Sequence, residues 1–377
     1  MTNPIYLDYN ATTPVDFEVF EAMRPYLTEI FGNPSSNHPF GWDAKIAVSH
    51  ARDEVASLLG CSGSEVIFTS GGTEANNLAI RGIAGLCAHP RRIITSSVEH
   101  PATEAPCRHL EKSGWNVLRA PVDGTGIVDI EAIEKGIDDS TALVTIMHAN
   151  NETGSMQPIR SIAKIAKKSN AIIHTDAAQS VGKVETRVDD LGVDLLSIAG
   201  HKLYAPKGIG ALYVRDGTRL SSVLLGAGHE RGLRPGTENV AGIVGLGAAC
   251  RIARDTLADE ASRIRFLRDD LWRQLLGAVP DLHLNGHQDE RLPNTLNISF
   301  PGVRSSLLLA KAHMVAASTG SACHEGGDEV PSSVLTAMGI SEEVALGAVR
   351  LTLGQSTTAE GIQTAVESLI LAYRECA

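Results

Sequence analysis

Lys202 stands in Gly200-His201-Lys202, directly after an apolar strand-like run and before a glycine-rich turn. A lysine there, partly desolvated and near other cations, has a lowered amine pKa and can form a Schiff base. An ordinary surface lysine is the bland alternative. It loses ground because further strand-end signals precede Lys202 in the order such a site requires. Ser70-Gly71-Gly72-Thr73-Glu74 follows the run Val66 to Thr69 and opens a helix. Glycines let an anion approach the backbone, and helix N-terminal amides attract phosphate. A cofactor phosphate on Gly72 and Thr73 fits this segment, and so does a plain turn capped by Ser70 or Thr73. Asp176, in His174-Thr175-Asp176-Ala177-Ala178-Gln179, ends another buried strand, on the side where α/β proteins bind ligands. A carboxylate that keeps a pyridinium charged is what a pyridoxal phosphate site needs, with helix capping as the alternative. A metal reading of His174 and Asp176 lacks further ligands at plausible spacing.

Four more residues carry chemistry. His100 follows the run Ile93 to Val98, where it can stack on a ring and shuttle protons or sit as a satisfied core histidine. Asn151, after the run Leu143 to Met147, either hydrogen-bonds a cofactor oxygen or makes a turn. Cys323 lies in a loop of small and polar residues from Ser318 to Asp328, with His324 beside it, whereas Cys250 sits in an apolar run. A thiol on such a loop can ionise and reach a site, which makes Cys323 the candidate nucleophile. Arg350 interrupts an apolar run, as an arginine does that holds a substrate carboxylate or a structural ion-pair partner.

The elements that must position these residues alternate. Short β-rich runs at Val66-Ile67-Phe68, Ile93-Ile94, Leu143 to Met147, Ala171 to Ile173, Leu195-Leu196 and Ala211 to Val214 are separated by helical segments such as Glu74 to Leu86 and Ile159 to Lys168. This predicts an α/β fold with a mostly parallel sheet covered on both sides. After about residue 250 the texture changes, with a charged helix over Arg251 to Leu276, a strand over Thr295 to Phe300 and a C-terminal helix. We expect a large α/β domain over 14–255 and a smaller α+β domain from 1–13 and 256–377. At 377 residues, two domains suit a chain longer than a single core sustains.

Composition bounds the function classes. Net charge is −11, and no Lys/Arg block is present, which disfavours nucleic-acid binding. No apolar run of about 18 residues predicts a membrane span, and no signal peptide is visible. The six cysteines are scattered without a C-x-x-C pair, as expected for reduced thiols in a cytoplasm-like compartment and not for a zinc site. Gly226-Ala227-Gly228-His229-Glu230-Arg231-Gly232 has the wrong spacing for a dinucleotide fingerprint.

Taken together, the motifs YLDYNATTP (6–14), GNPSS (32–36), FTSGGTEANN (68–77), SSVEH (96–100), HANNETG (148–154), HTDAAQSVGK (174–183), GHKLYAPKGIGALYV (200–214), HERGLRPGTEN (229–239) and SACHEGGDEVPSSVLTAMGI (321–340) resemble the cysteine desulfurase/selenocysteine lyase family of pyridoxal phosphate enzymes. The resemblance spans almost the whole chain. It implies a fold-type I, class V aminotransferase-like homodimer with a seven-stranded, mostly parallel sheet in the large domain. It also implies that Lys202 forms the Schiff base, Asp176 partners the pyridinium and His100 stacks on the ring. Asn151 and Gln179 would contact the ring oxygen, and Gly72, Thr73 and His201 the phosphate, joined by Thr237 of a second subunit. Cys323 would take up sulfur as a persulfide, while Arg350, Asn151 and Asn33 would bind the substrate.

Two positions depart from the family pattern. Ala199 stands where many desulfurases have a phosphate-binding serine, and Ser197 is the nearest substitute. Pro101 follows His100, where animal selenocysteine lyases have an aspartate, although Cys323-His324 and the spacing to Pro331 are similar to that branch. The implied reaction converts L-cysteine to L-alanine and hands sulfur to an acceptor protein, as in iron–sulfur cluster assembly. Release of selenium from L-selenocysteine is the alternative. An aminotransferase would need no cysteine loop, and a scaffold without cofactor would need neither Lys202 nor Asp176.

Overall fold

A computed structural model describes residues 3–319, 321–323 and 329–377, with 321–323 and 329 described in backbone only. Seven strands form the main sheet, in the order Val66–Thr69, Gly210–Val214, Leu195–Ala199, Ile172–Asp176, Thr141–Thr145, Arg92–Ser96, Asn116–Ala120. All pairings are parallel except the two made by Gly210–Val214. The inner strands Thr141–Thr145, Leu195–Ala199 and Gly210–Val214 are buried at every position, which explains their largely apolar sequence: helices cover both faces. The edge strand Asn116–Ala120 escapes the sequence reading because it is partly exposed and carries Arg119.

A second, antiparallel sheet runs Ser318–Thr319, Ala348–Thr352, Thr295–Ser299, His283–Asn285. The N-terminal strand Ile5–Tyr6 pairs in parallel with Val315–Ala316. Two hydrophobic clusters dominate the interior. One draws on residues from Val19 to Cys250, the other on Leu7 and residues from Ile264 to Ala372. The helix expected over Arg251 to Leu276 is longer: Val240–Ala278 is a single 39-residue helix that begins in the first cluster and ends in the second. Its first turns are rich in small residues because it lies close against the helix Pro39–Leu59; a Cβ on Gly247 would stand 2.6 Å from the Ala51 Cα. Among the described residues no helix is long and apolar enough to cross a membrane.

Arg52 ties the helix Pro39–Leu59 to the loop after the sheet. Its guanidinium donates to Glu230 Oε1 at 2.6 Å and Oε2 at 2.8 Å, and stacks 4.6 Å over the Phe68 ring. Glu230 also accepts the Phe68 N–H, and its side chain is only 4% exposed. Breaking a buried pair from one side leaves an uncompensated charge and costs about 3–5 kcal/mol. Arg52→Ala is therefore expected to lower the urea-unfolding free energy by at least about 3 kcal/mol. A loss below about 1 kcal/mol would place the pair among ordinary surface bridges.

Candidate active site

A cavity of about 350 Å³ opens at the C-terminal ends of the parallel strands, where open α/β sheets bind ligands. Each wall is a residue that follows a strand: Gly72 after Val66–Thr69, His100 after Arg92–Ser96, Met147 after Thr141–Thr145, Asp176 at the end of Ile172–Asp176, and Lys202 after Leu195–Ala199. Asn10 and Ala11 of the N-terminal segment and Arg350 of the second sheet complete it. Thr73, Asn151, Gln179 and His201 also line it. Of the twelve residues singled out from sequence, nine meet around this one space, Arg350 among them; Cys323, Asn33 and Thr237 are the other three.

Among the described residues no carboxylate pairs with Lys202. Its Nζ donates to the carbonyls of Asn10 and Ala11. Burial, then the nearby Arg350, pushes the ammonium down to about 8, with Asp8 and Asp176 pulling the other way. Asp176 is 7% exposed; Asn76 Nδ2 donates to its Oδ2 at 2.6 Å, and the Ala178 N–H donates to its Oδ1 at 2.9 Å. His100 is not at a strand end as expected. The strand stops at Ser96, and His100 caps the helix Pro101–Glu111, its Nδ1 accepting the Ala102 N–H at 3.1 Å. That bond puts the ring proton on Nε2. Burial lowers the His100 pKa, Asp176 opposes this and Lys202 adds to it. Pro101 occupies the first helical position, where a missing N–H costs nothing.

Arg350 is held by other residues of the chain. Its Nη2 donates to Asp8 Oδ1 at 2.8 Å and to Ser318 Oγ at 3.0 Å, and its Nη1 to the Asn151 carbonyl at 3.1 Å. It is an ion-pair partner, and it also faces the cavity. His201 meets Thr12 Oγ1 through Nδ1, and burial followed by Lys202 holds it down to about 4, so it is a neutral donor or acceptor.

Cys323 lies in the backbone strand Ser321–Cys323, opposite Glu329 of Glu329–Pro331; its side chain, and the whole of His324, lie outside the described residues. Asn33 and Thr237 are exposed and do not line the cavity of this chain. Ser197 does not stand in for a serine at Ala199. It is fully buried and meets His174 Nε2 at 2.9 Å, two residues or about 6.6 Å deeper along the strand.

Three lining or adjacent residues escaped the sequence reading. Asn10 is the hub of the wall: its carbonyl accepts from Lys202 and Gln179, and its side chain reaches Thr295, Asn294 and Lys183. Asn76 orients Asp176. Lys183 donates to Gln179. All three lie inside motifs whose apolar or glycine neighbours drew attention first. The only available signal was a polar residue in a run that must be buried.

The residues fit an aromatic cofactor carrying a phosphate. Gly72, Ala178 and Ala199 keep one wall low, and a Cβ on Gly72 would come within 3.2 Å of the Ala199 Cβ. Among the described residues, Asn76 Oδ1 and Arg350 Nε are buried without a partner. Among the described residues no three His, Cys, Asp or Glu side chains gather as a metal site. His174 is instead a core residue, held by Thr145 Oγ1 at 2.8 Å and by Ser197.

Burial pushes His174 down to about 3 and His148 to about 4. Their folded pKa values lie below the unfolded value of about 6.5, so the unfolded chain binds more protons between those limits. Stability is thus complete above pH 6.5 and falls on acidification, by about 1.4 kcal/mol per pH unit for each histidine. His174→Gln is expected to flatten the slope of unfolding free energy between pH 6 and 4, measured in urea. An unchanged slope would show that His174 is already protonated in the fold.

Residues 5–364 match the family described as Aminotransferase class-V. A protein named "Cysteine desulfurase IscS" from Dictyoglomus turgidum is 46% identical over 372 residues, covering 98% of this chain and 94% of that one. A "Cysteine desulfurase" from Trichormus azollae is 48% identical over 367 residues, covering 96% and 91%. Among solved structures, one named "NIFS-LIKE PROTEIN" aligns with a TM-score of 0.91 at 37% identity over 98% of both chains. Another, "SspA in complex with cysteine", aligns with a TM-score of 0.83 at 38% identity, covering 92% of this chain and 98% of that one.

Proposed function

The chain belongs to the class-V aminotransferase family, and from that premise we propose that it is a pyridoxal phosphate-dependent cysteine desulfurase, converting L-cysteine to L-alanine with the sulfur passed to Cys323 as a persulfide. The observation that carries this reading is the meeting, in one cavity, of a Lys202 bonded to backbone carbonyls, an Asp176 held by two donors, and Arg350. The names of its relatives favour cysteine over selenocysteine as the substrate.

Gly72, Thr73 and His201 would hold the phosphate, Asn151 and Gln179 the ring oxygen, and Asp176 the proton on the ring nitrogen. When bound, pyridoxal phosphate supplies an electron-accepting ring that stabilises negative charge at the substrate's α-carbon. Lys202 would hold the cofactor through Nζ and, when free, would remove the substrate's α-proton; a buried amine beside Arg350 has the free-base fraction this needs. Arg350, pinned by Asp8 and Ser318, receives the substrate carboxylate. His100, which lines the cavity, would face the ring and could carry protons through Nε2. The Cys323 thiolate attacks the substrate sulfur: an S–S bond forms, the C–S bond breaks, and its electron pair stays on the β-carbon, which takes a proton to give alanine.

A homodimer completes this reading. Phe17, Phe31, Phe40 and Trp42 are half or more exposed on one stretch of chain, the mark of an interaction surface. Thr237 and Asn33 would then serve the cavity of a second copy. The separate hydrophobic clusters support domains at 14–255 and at 1–13 with 256–377. The persulfide would pass to an acceptor protein.

Initial rates of alanine formation from L-cysteine and L-selenocysteine, side by side on one preparation, test the substrate. Comparable rates, or a faster rate with cysteine, are expected. A selenocysteine rate with almost none from cysteine would make this a selenocysteine lyase.

A further inference from the structure

Lys183 is a second lysine beside the cavity, and the mechanism above does not use it. It follows Gly182, whose φ of 75° turns the chain after the Asp176–Gln179 segment. Its Nζ donates to Gln179 Oε1 at 3.1 Å and to Asn10 Oδ1 at 3.2 Å. Among the described residues no carboxylate pairs with it. Its charged neighbours Lys202 and Arg350 are both cations, with Asp8 and Asp176 facing the Lys202 side and His201 feeling both lysines. Lys183 and Lys202 also share a cavity of about 40 Å³ with Tyr204 and Glu260. An ammonium held only by amide oxygens among cations is costly. What it secures is the orientation of an amide.

Gln179 has one acceptor oxygen and two N–H donors. Lys183 takes the oxygen, and Nε2 donates to the Asn10 carbonyl at 3.0 Å. One N–H remains for the cavity that Gln179 lines. Turned over, the amide would face its NH2 group toward the ammonium and its oxygen toward the ligand. We propose that Lys183 is a positioning residue, whose Nζ donor fixes the Gln179 amide so that its NH2 end donates to the cofactor's ring oxygen. The inference rests on the cofactor reading above.

A donor at that oxygen stabilises its anionic form, which weakens proton binding at the adjacent lysine-linked nitrogen and lowers the pH midpoint of the visible absorbance. Titrating the absorbance of purified holoenzyme tests this without turnover. Lys183→Met is expected to raise the midpoint by about half a pH unit or more, and Lys183→Arg to keep it near wild type. In a Gln179→Ala background, Lys183→Met is expected to move the midpoint by less than half as much. An unmoved midpoint in Lys183→Met, or an equal shift with and without Gln179, overturns the proposal. If Lys183→Met does not fold, Lys183→Gln carries the same expectations. A wild-type enzyme with no pH-dependent visible band would instead defeat the cofactor reading itself.

Discussion

Lys202→Ala is expected to yield a folded, colourless protein whose alanine formation from L-cysteine is lower by on the order of 10⁴ or more. Two separate functions vanish with one side chain: the covalent hold on the cofactor and the base that takes the α-proton. Nothing nearby replaces either one. Lys183 is the nearest second amine, but its Nζ is committed to Gln179 and Asn10. Arginine at 202 keeps the charge and still fails, because a guanidinium stays protonated in proteins. Retained turnover together with a retained visible band would remove Lys202 from its assigned place. The wild-type rate also carries a sign. With the ammonium near 8, the free-base fraction rises about tenfold per unit up to that pH and then levels.

Cys323→Ala is expected to keep the visible band and lose alanine formation from L-cysteine by on the order of 10² or more, because the sulfur has no acceptor. After wild-type enzyme is given cysteine, mass spectrometry of its peptides should find the one containing Cys323 heavier by a sulfur atom. Three of the other thiols make poor substitutes. Burial pushes Cys107, Cys250 and Cys61 up to about 12, which leaves negligible thiolate at neutral pH. Undiminished sulfide release from the variant, or the extra sulfur on another cysteine, would take the acceptor role from Cys323.

The chemistry was legible in the sequence wherever a reactive residue followed a buried strand, because the C-terminal ends of parallel strands converge on one edge. Asp176, Lys202 and Gly72 are of this kind. Residues whose role depends on what another segment brings were not legible. Asn10 matters because Asn294, Thr295 and Thr352 arrive beside it from far along the chain. Asn76 and Lys183 matter through their partners Asp176 and Gln179. The helix boundary near 250 was misplaced for a related reason. A change from apolar to charged composition marks where the Val240–Ala278 helix leaves one core, and nothing in its sequence breaks the helix there.

Asn10 also dates the site. It bonds to Thr352, 342 residues later in the chain, and its carbonyl is the one that Lys202 grips. A ribosome adding about 5–20 residues per second needs roughly 20–70 seconds to cover that interval. The main sheet is complete in sequence at Val214, about 140 residues before Thr352, so for roughly 7–28 seconds of that interval Asp176 and Lys202 can be in place while the wall that confines the lysine is incomplete. The wall around the lysine therefore closes only after Thr352 has been made, which on the proposed reading delays any reactive sulfur until most of the chain is present.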